Sequence, residues 1–203
     1  ILNLGVIMKK VFSQVSKCVS GFLVVGVLTS YSLSAATLDT SSIKVGFTGY
    51  KTEDMVETSG MFKKIKFTFG KDKKSITGVL KGASAVIVPT SSVIPELDDA
   101  TKNMNTVFFP ALAGKESINV VIQEVVEGDG KGLISAKISI GNQSTIVPLV
   151  YEIKNKKLMA QGKLDLNAFS NATQALSALS KAAPGHADFS WAVVDLTMSA
   201  NVK

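Results

Sequence analysis

Strict two-residue alternation of apolar and polar side chains constrains this chain more than any other feature. In ISAKISI, Ile134, Ala136, Ile138 and Ile140 fall on one side, and Ser135, Lys137 and Ser139 on the other. In LMAQGKLDL, Leu158, Ala160, Gly162, Leu164 and Leu166 oppose Met159, Gln161, Lys163 and Asp165. Successive strand side chains point to opposite faces, so each row predicts an antiparallel strand with one face on a core and the other in water. The connections are short and rich in turn formers. Gly128 to Gly132 separates INVVIQEVVE from LISAKISI, Gly141-Asn142-Gln143 precedes STIVPLVYEI, and Asn155-Lys156-Lys157 follows it. The pattern is a meander.

Eight such runs are predicted, over residues 41–51, 55–69, 83–90, 117–127, 133–140, 144–153, 158–166 and 188–201. The fold class is therefore all-β and mainly antiparallel. Eight strands suit closure into an up-and-down barrel, which removes exposed edges; a two-sheet sandwich is the alternative. The lysine run in FKKIKFTFGKDKKS alternates with Ile65, Phe67 and Phe69 and reads as the solvated face and turn of a hairpin.

Two segments break the alternation. NAFSNATQALSALSKAAPG places Phe169, Ala172, Leu176, Leu179 and Ala183 on one helical stripe, with Lys181 in the last turn and Pro184-Gly185 as the stop. It predicts an amphipathic helix over 167–183 lying on the barrel. In IPELDDATKNMNTVFFPALAG, Pro95, Glu96, Asp98 and Asp99 favour a helix start, and Leu97, Ala100, Met104 and Phe108 follow at helical spacing. That stretch predicts a short helix and then an apolar loop, in whose extended backbone Phe108 and Phe109 point to opposite sides.

Seven residues precede the earliest methionine, Met8, which is read as the start. Lys9, Lys10 and Lys17 then form a positive region, Gly21 to Leu28 a short apolar core, and Ser34-Ala35-Ala36 a small-residue cleavage site. This predicts a secretory signal peptide within residues 1–36, one domain over 37–203, and a periplasmic or secreted product. The apolar run is interrupted by Thr29, Ser30 and Ser32, short of the roughly 20 residues needed to span a bilayer. Cys18 leaves with the signal, so packing alone holds the exported chain.

Removing Lys9, Lys10 and Lys17 takes three positive charges from the formal +6 and leaves +3. The chain has no arginine, hence no guanidinium fork to read guanine or clamp phosphate, which excludes nucleic acid as a partner. An outer-membrane barrel needs aromatic girdles and outward apolar bands. Only 7% of residues are aromatic, and the outward rows carry Lys137, Gln161, Lys163 and Asp165. Catalysis has little to stand on. His186 is the single histidine, in the partly exposed PGHAD loop, and no G-x-S-x-G elbow occurs. Gly70-Lys71-Asp72 lacks the hydroxyl of a phosphate loop, and adjacent Asp98 and Asp99 suit a helix start better than paired acid-base work. No enzyme activity, metal or cofactor is expected.

The order of elements resembles the YceI-like polyisoprenoid-binding proteins, which are secreted lipocalin-like barrels. The resemblance runs from Leu38 to Lys203 through LDTSSIKVGFTGYK, the GMF of SGMFKKIKF, VIVPTSSVIPELDDATKNMNTVFFPAL, ISAKISIGNQSTIVPLVYEI, KLDLNAFSNATQALSALSKAAPG and SWAVVDLTMSANV with Trp191 and Asp195. Many members carry an arginine and a histidine in the helix before the double phenylalanine, where this chain reads ATKNMNT. The resemblance implies a barrel whose lumen holds the tail of a polyisoprenoid or other long-chain amphiphilic lipid, in a protein that is not embedded in the membrane; the family includes homodimers. The ligand-binding residues it implies are Phe47, Phe62 and Phe67 in the first strands, Met104, Phe108, Phe109 and Leu112 in the apolar stretch, Leu149, Tyr151 and Leu164 in the meander, and Phe169, Leu176 and Leu179 around the second helix. Independently, Ala136, Ala160 and Gly162 in the inward rows predict unfilled width beside Leu158, Leu164 and Leu166. A structural or adhesive sandwich with a solid core is the competing reading, and an enzyme acting on bound lipid the third.

Overall fold

The computed structural model describes residues 36–203, so the signal-peptide expectation and Cys18 lie outside the described residues. Ten strands form one antiparallel sheet: β1 (Leu38–Lys51), β2 (Val56–Phe62), β3 (Ile65–Thr68), β4 (Ser84–Ile87), β5 (Ser92–Val93), β6 (Ile118–Glu127), β7 (Lys131–Ile140), β8 (Gln143–Lys154), β9 (Lys157–Asp165) and β10 (Ser190–Val202). Their order is β3-β4-β6-β7-β8-β9-β10-β1-β2-β5.

The two ends of that order belong to a single kinked hairpin. β3 continues β2 after Lys63-Lys64, and β5 continues β4 after a 3-10 turn at Pro89–Ser91. Phe62 pairs with Ser92 on one side of the kink and Ile65 with Ile87 on the other. Between them the Lys63 amide donates to the Ser91 carbonyl at 3.2 Å and the Val88 amide to the Lys64 carbonyl at 3.0 Å. Pro89 has no amide to give to a ladder, so the run predicted over 83–90 ends at Ile87 and a two-residue strand resumes at Ser92. The predicted run 55–69 is thus split into β2 and β3, β5 lies beyond the predicted run 83–90, and the other predicted runs each hold one strand; the sheet curls into a lipocalin-like barrel. β3 is laddered on its β4 edge alone, which leaves the wall unpaired beside it.

The meander follows the alternation closely. Ile134, Ala136, Ile138 and Ile140 of β7 are all buried, as are Leu158, Ala160 and Leu164 of β9. The β8–β9 hairpin turns on Asn155 and Lys156, both at positive φ, the geometry whose twist matches that of the paired strands.

The helices depart further from expectation. A short helix that the sequence pattern did not predict, α1 (Ile76–Leu80), follows the lysine-rich stretch read as the face and turn of a hairpin. Ser75 caps it by accepting from the Gly78 amide at 2.9 Å, and Ile76, Val79 and Leu80 are buried. A five-residue helix containing glycine carries no periodic signal; tertiary packing makes it.

Residues 98–113 form a continuous helical stretch, not a helix followed by an apolar loop. α2 (Asp98–Asn103) passes through a π-helical turn at Met104–Phe108 into α3 (Phe109–Ala113). Pro110 explains the widening. It has no amide, and its ring would clash with the carbonyl four residues back in a regular helix. The Phe109 amide accordingly donates to the Met104 carbonyl, five residues back. The last helix, α4 (Ala172–Ala182), is shorter than the predicted 167–183, because a 3-10 turn at Leu166–Ala168 precedes it. Its buried residues are Ala172, Ala175, Leu179 and Ser180. α4 packs on the π turn, α3 and β10, so the helices cover the barrel together.

Candidate functional site

The interior is packed solid on one side and hollow on the other. On the solid side Tyr151, Leu158 and Ala160 have no exposed surface. On the hollow side the barrel and helices enclose a cavity of about 720 Å³. An eight-stranded barrel is just wide enough either to be filled by its own side chains or to hold one small ligand. This one is in the second state over part of its lumen.

Strand periodicity builds the wall. The inward row of β1 is Ile43, Val45, Phe47, Gly49 and Lys51, and every member lines the cavity. Val194, Leu196 and Met198 of β10 do the same, with Ile122 of β6 and Ala136 and Ile138 of β7 farther round. Most of the β10 row is only half-buried, because one side of each residue faces the cavity and not a neighbouring side chain.

An aromatic cluster joins sheet and helices. The Phe47 ring lies 5.2 Å from Phe62 and 6.3 Å from Phe109, Phe62 lies 5.6 Å from Phe109, and Phe108 and Phe109 are 5.1 Å apart. These tilted and edge-on pairs suit aromatic quadrupoles and fix the stretch 104–112 against the first two strands. Gly60, opposite Phe47 in the ladder, makes room for the cluster: a Cβ there would come within 2.6 Å of the Phe47 ring.

The polar residues before the double phenylalanine are tethers. Thr101 Oγ1 accepts from the Ile94 amide at 2.8 Å. Asn105 accepts from the buried Ser92 hydroxyl at 2.7 Å and donates to the Ser92 carbonyl at 2.9 Å. Asn103 donates to the Ala182 carbonyl at the end of α4.

Of the thirteen residues proposed from sequence, Phe47, Phe62, Phe67, Met104, Phe108 and Phe109 line the cavity, as do Leu112, Leu149, Leu164, Leu176 and Leu179. Tyr151 and Phe169 do not; both are buried in the solid core. Tyr151 faces Gly132 on β7 and Ala160 on β9, so those small residues accommodate its ring. The predicted void beside Gly162 is likewise absent, since a Cβ there would lie 2.7 Å from Leu149 Cδ2. Of the three small inward residues, Ala136 alone reaches the cavity. Phe108 and Phe109 do not take opposite sides: they belong to a helix, and both are buried and on the wall.

The exposed residues of the wall mark its mouth. They are Glu96, Leu97, Asp98 and Asp99 before and in α2, and Pro184 and Gly185 after α4. Half-buried Lys51, His186 and Trp191 stand with them on the wall. Among the described residues, the three segments beside this rim hold five of the seven non-glycine residues with positive φ, namely Thr52, Met55, Glu96, Ala187 and Asp188. Such backbone persists where its surroundings over-determine it, so the rim is pre-shaped. Trp191 Nε1 donates to the Thr52 carbonyl at 2.8 Å, and His186 Nδ1 shares a 2.7 Å hydrogen bond with the Ser190 hydroxyl, itself 2.7 Å from Ser180 Oγ. Burial, and then the Lys51 charge, push the His186 pKa down. In sequence His186 reads as a loop residue without a role, and a lone histidine gives no pattern that would put it on the wall. Asp195 accepts from Tyr50 at 2.8 Å and pairs with Lys163 at 2.6 Å; the Lys163 bond holds its pKa low, burial opposes that, and the Tyr50 bond lowers it further.

No family model and no curated protein matches this sequence. Solved structures do share the fold. Burkholderia cenocepacia BcnA is 16% identical, covering 82% of this chain and 99% of that one at a TM-score of 0.53. A polyisoprenoid-binding domain from Saccharophagus degradans, implicated in plant cell wall breakdown, is 14% identical, covering 83% and 98% at a TM-score of 0.56. The fold is thus the barrel that the sequence resemblance implied, over nearly the whole of both neighbours.

Proposed function

We propose that this chain is a periplasmic or secreted binding protein that holds the tail of an isoprenoid-like or other long-chain amphiphilic lipid in the barrel lumen, for transport, storage or sequestration. The observation that carries this reading is the cavity of about 720 Å³, walled by the inward rows of the barrel and by the aromatic cluster, with its charged residues gathered at the mouth. Ligand sites are commonly concave, mostly apolar and provided with a few placed polar groups. The polyisoprenoid-binding neighbour supports the choice of a lipid. Among the described residues no helix is long and apolar enough to cross a membrane.

A structural or adhesive protein with a solid core would have no use for such a space. An enzyme acting on the lipid would place titratable groups deep in the wall, where this one has phenylalanine, leucine and isoleucine. The test is to recover the protein from a bacterial periplasmic extract, extract it with organic solvent and identify the lipid by mass spectrometry. One long-chain amphiphile in near-stoichiometric amount is expected. Absence of lipid, together with no uptake of added isoprenoid chains, would sink the proposal.

A further inference from the structure

We propose that the head of the bound amphiphile is an oxyanion, a phosphate or a carboxylate, held at the cavity mouth by the Lys51 ammonium with His186 beside it. This inference rests on the lipid-binding reading and adds the chemistry of the head.

Lys51 ends the inward row of β1, so strand register turns its side chain toward the lumen side, after Ile43, Val45, Phe47 and Gly49. It is half-buried and lines the cavity. Its Nζ lies at the mouth, 3.5 Å from where a Cβ on Gly185 would stand. Among the described residues it makes no ion pair. A partly desolvated ammonium without a counter-charge is costly, and this one stands where an apolar cavity meets water.

His186 lies one residue from Gly185 and is close enough to feel the Lys51 charge. Ser180 donates to the Leu176 carbonyl, so Ser190 donates to Ser180 and His186 Nδ1–H to Ser190; Nε2 then donates to a ligand oxygen only in the protonated ring, the form that a bound oxyanion favours. The Lys51 ammonium, which makes no ion pair among the described residues, is the donor at this corner, and charge-assisted hydrogen bonds are the stronger kind. The rim also bears Glu96, Asp98 and Asp99, but these are exposed to water. Asp98 and Asp99 also sit in the first turn of α2, where negative charge is favoured. The carboxylates have water; Lys51 is the charge still short of a partner.

The test keeps the tail constant and changes the head. Farnesyl phosphate, farnesoate and farnesol are titrated calorimetrically into the delipidated protein at neutral pH. At least one of the two anions should bind about tenfold tighter than farnesol, as roughly 1.4 kcal/mol of charge-assisted bonding gives. The larger ratio tells a phosphate from a carboxylate head. Lys51→Met should bring the anion-to-alcohol ratio near one, and Lys51→Arg should restore it. Farnesol binding as tightly as both anions, or a Lys51→Met variant that weakens all three equally, would overturn the head assignment and leave the carrier reading standing. If none of the three binds, the carrier reading fails and the head assignment falls with it.

Discussion

Glycines opposite large side chains decide where this barrel is solid and where it is hollow. Gly132 lies across the β7–β8 ladder from Tyr151, and a Cβ at Gly132 would come within 2.6 Å of that ring and meet the Val126 carbonyl. Gly60 serves Phe47 in the same way, and Gly162 serves Leu149. Small inward residues therefore need not mean space; they can mean a large neighbour, and sequence cannot tell the two apart without the register. Gly132→Ala should destabilise the protein by about 1–3 kcal/mol, the usual cost of overpacking, as a lower denaturation midpoint. Because Tyr151 does not line the cavity, ligand affinity measured well below the unfolding transition should stay at its native value. An unchanged midpoint would mean that Tyr151 is free to move aside.

At the scale of elements, period-two alternation locates the strands to within a few residues, since strand side chains report directly which face is buried. It does not show that Pro89 ends a strand that then resumes at Ser92, or that Pro110 widens a helix where a loop was expected. Proline reads as a breaker in either case; whether it ends a strand or widens a helix depends on the partners around it. The stretch 98–113 stays helical because Thr101 ties it to Ile94, Asn105 to Ser92 of β5 and Asn103 to α4, and because Phe108 and Phe109 are anchored in the cluster. Phe108→Ala and Phe109→Ala should therefore behave alike, each lowering the stability of the lipid-free protein by about 3 kcal/mol, the low end for a buried phenylalanine because one side already faces a cavity. Each should also weaken the binding of long-chain ligands. If one substitution affected only folding and the other only binding, the two side chains would not share the cavity wall as they do here.

The whole molecule joins a packed half, Tyr151, Leu158 and Ala160 among its fully buried members, to an open half walled by β1, β10 and the helices. Eleven of the thirteen residues put forward as ligand-binding line the cavity, and the barrel was legible in the sequence, because large apolar residues in alternating rows must face inward somewhere. The division between filled and empty was not, since it depends on how side chains from distant strands meet; nor was the polar corner made by Lys51 and His186 from opposite ends of the chain. Trp191, the single tryptophan, lines the cavity beside that corner and reports directly on whether a chain enters. The most direct test is quenching of its fluorescence by long acyl chains brominated at successive positions. A lipid held with its head at the mouth predicts saturable one-to-one quenching that is strongest for bromine near the head and weakens toward the tail. Quenching that never saturates, or that is the same at every bromine position, would contradict a tail lying in the lumen.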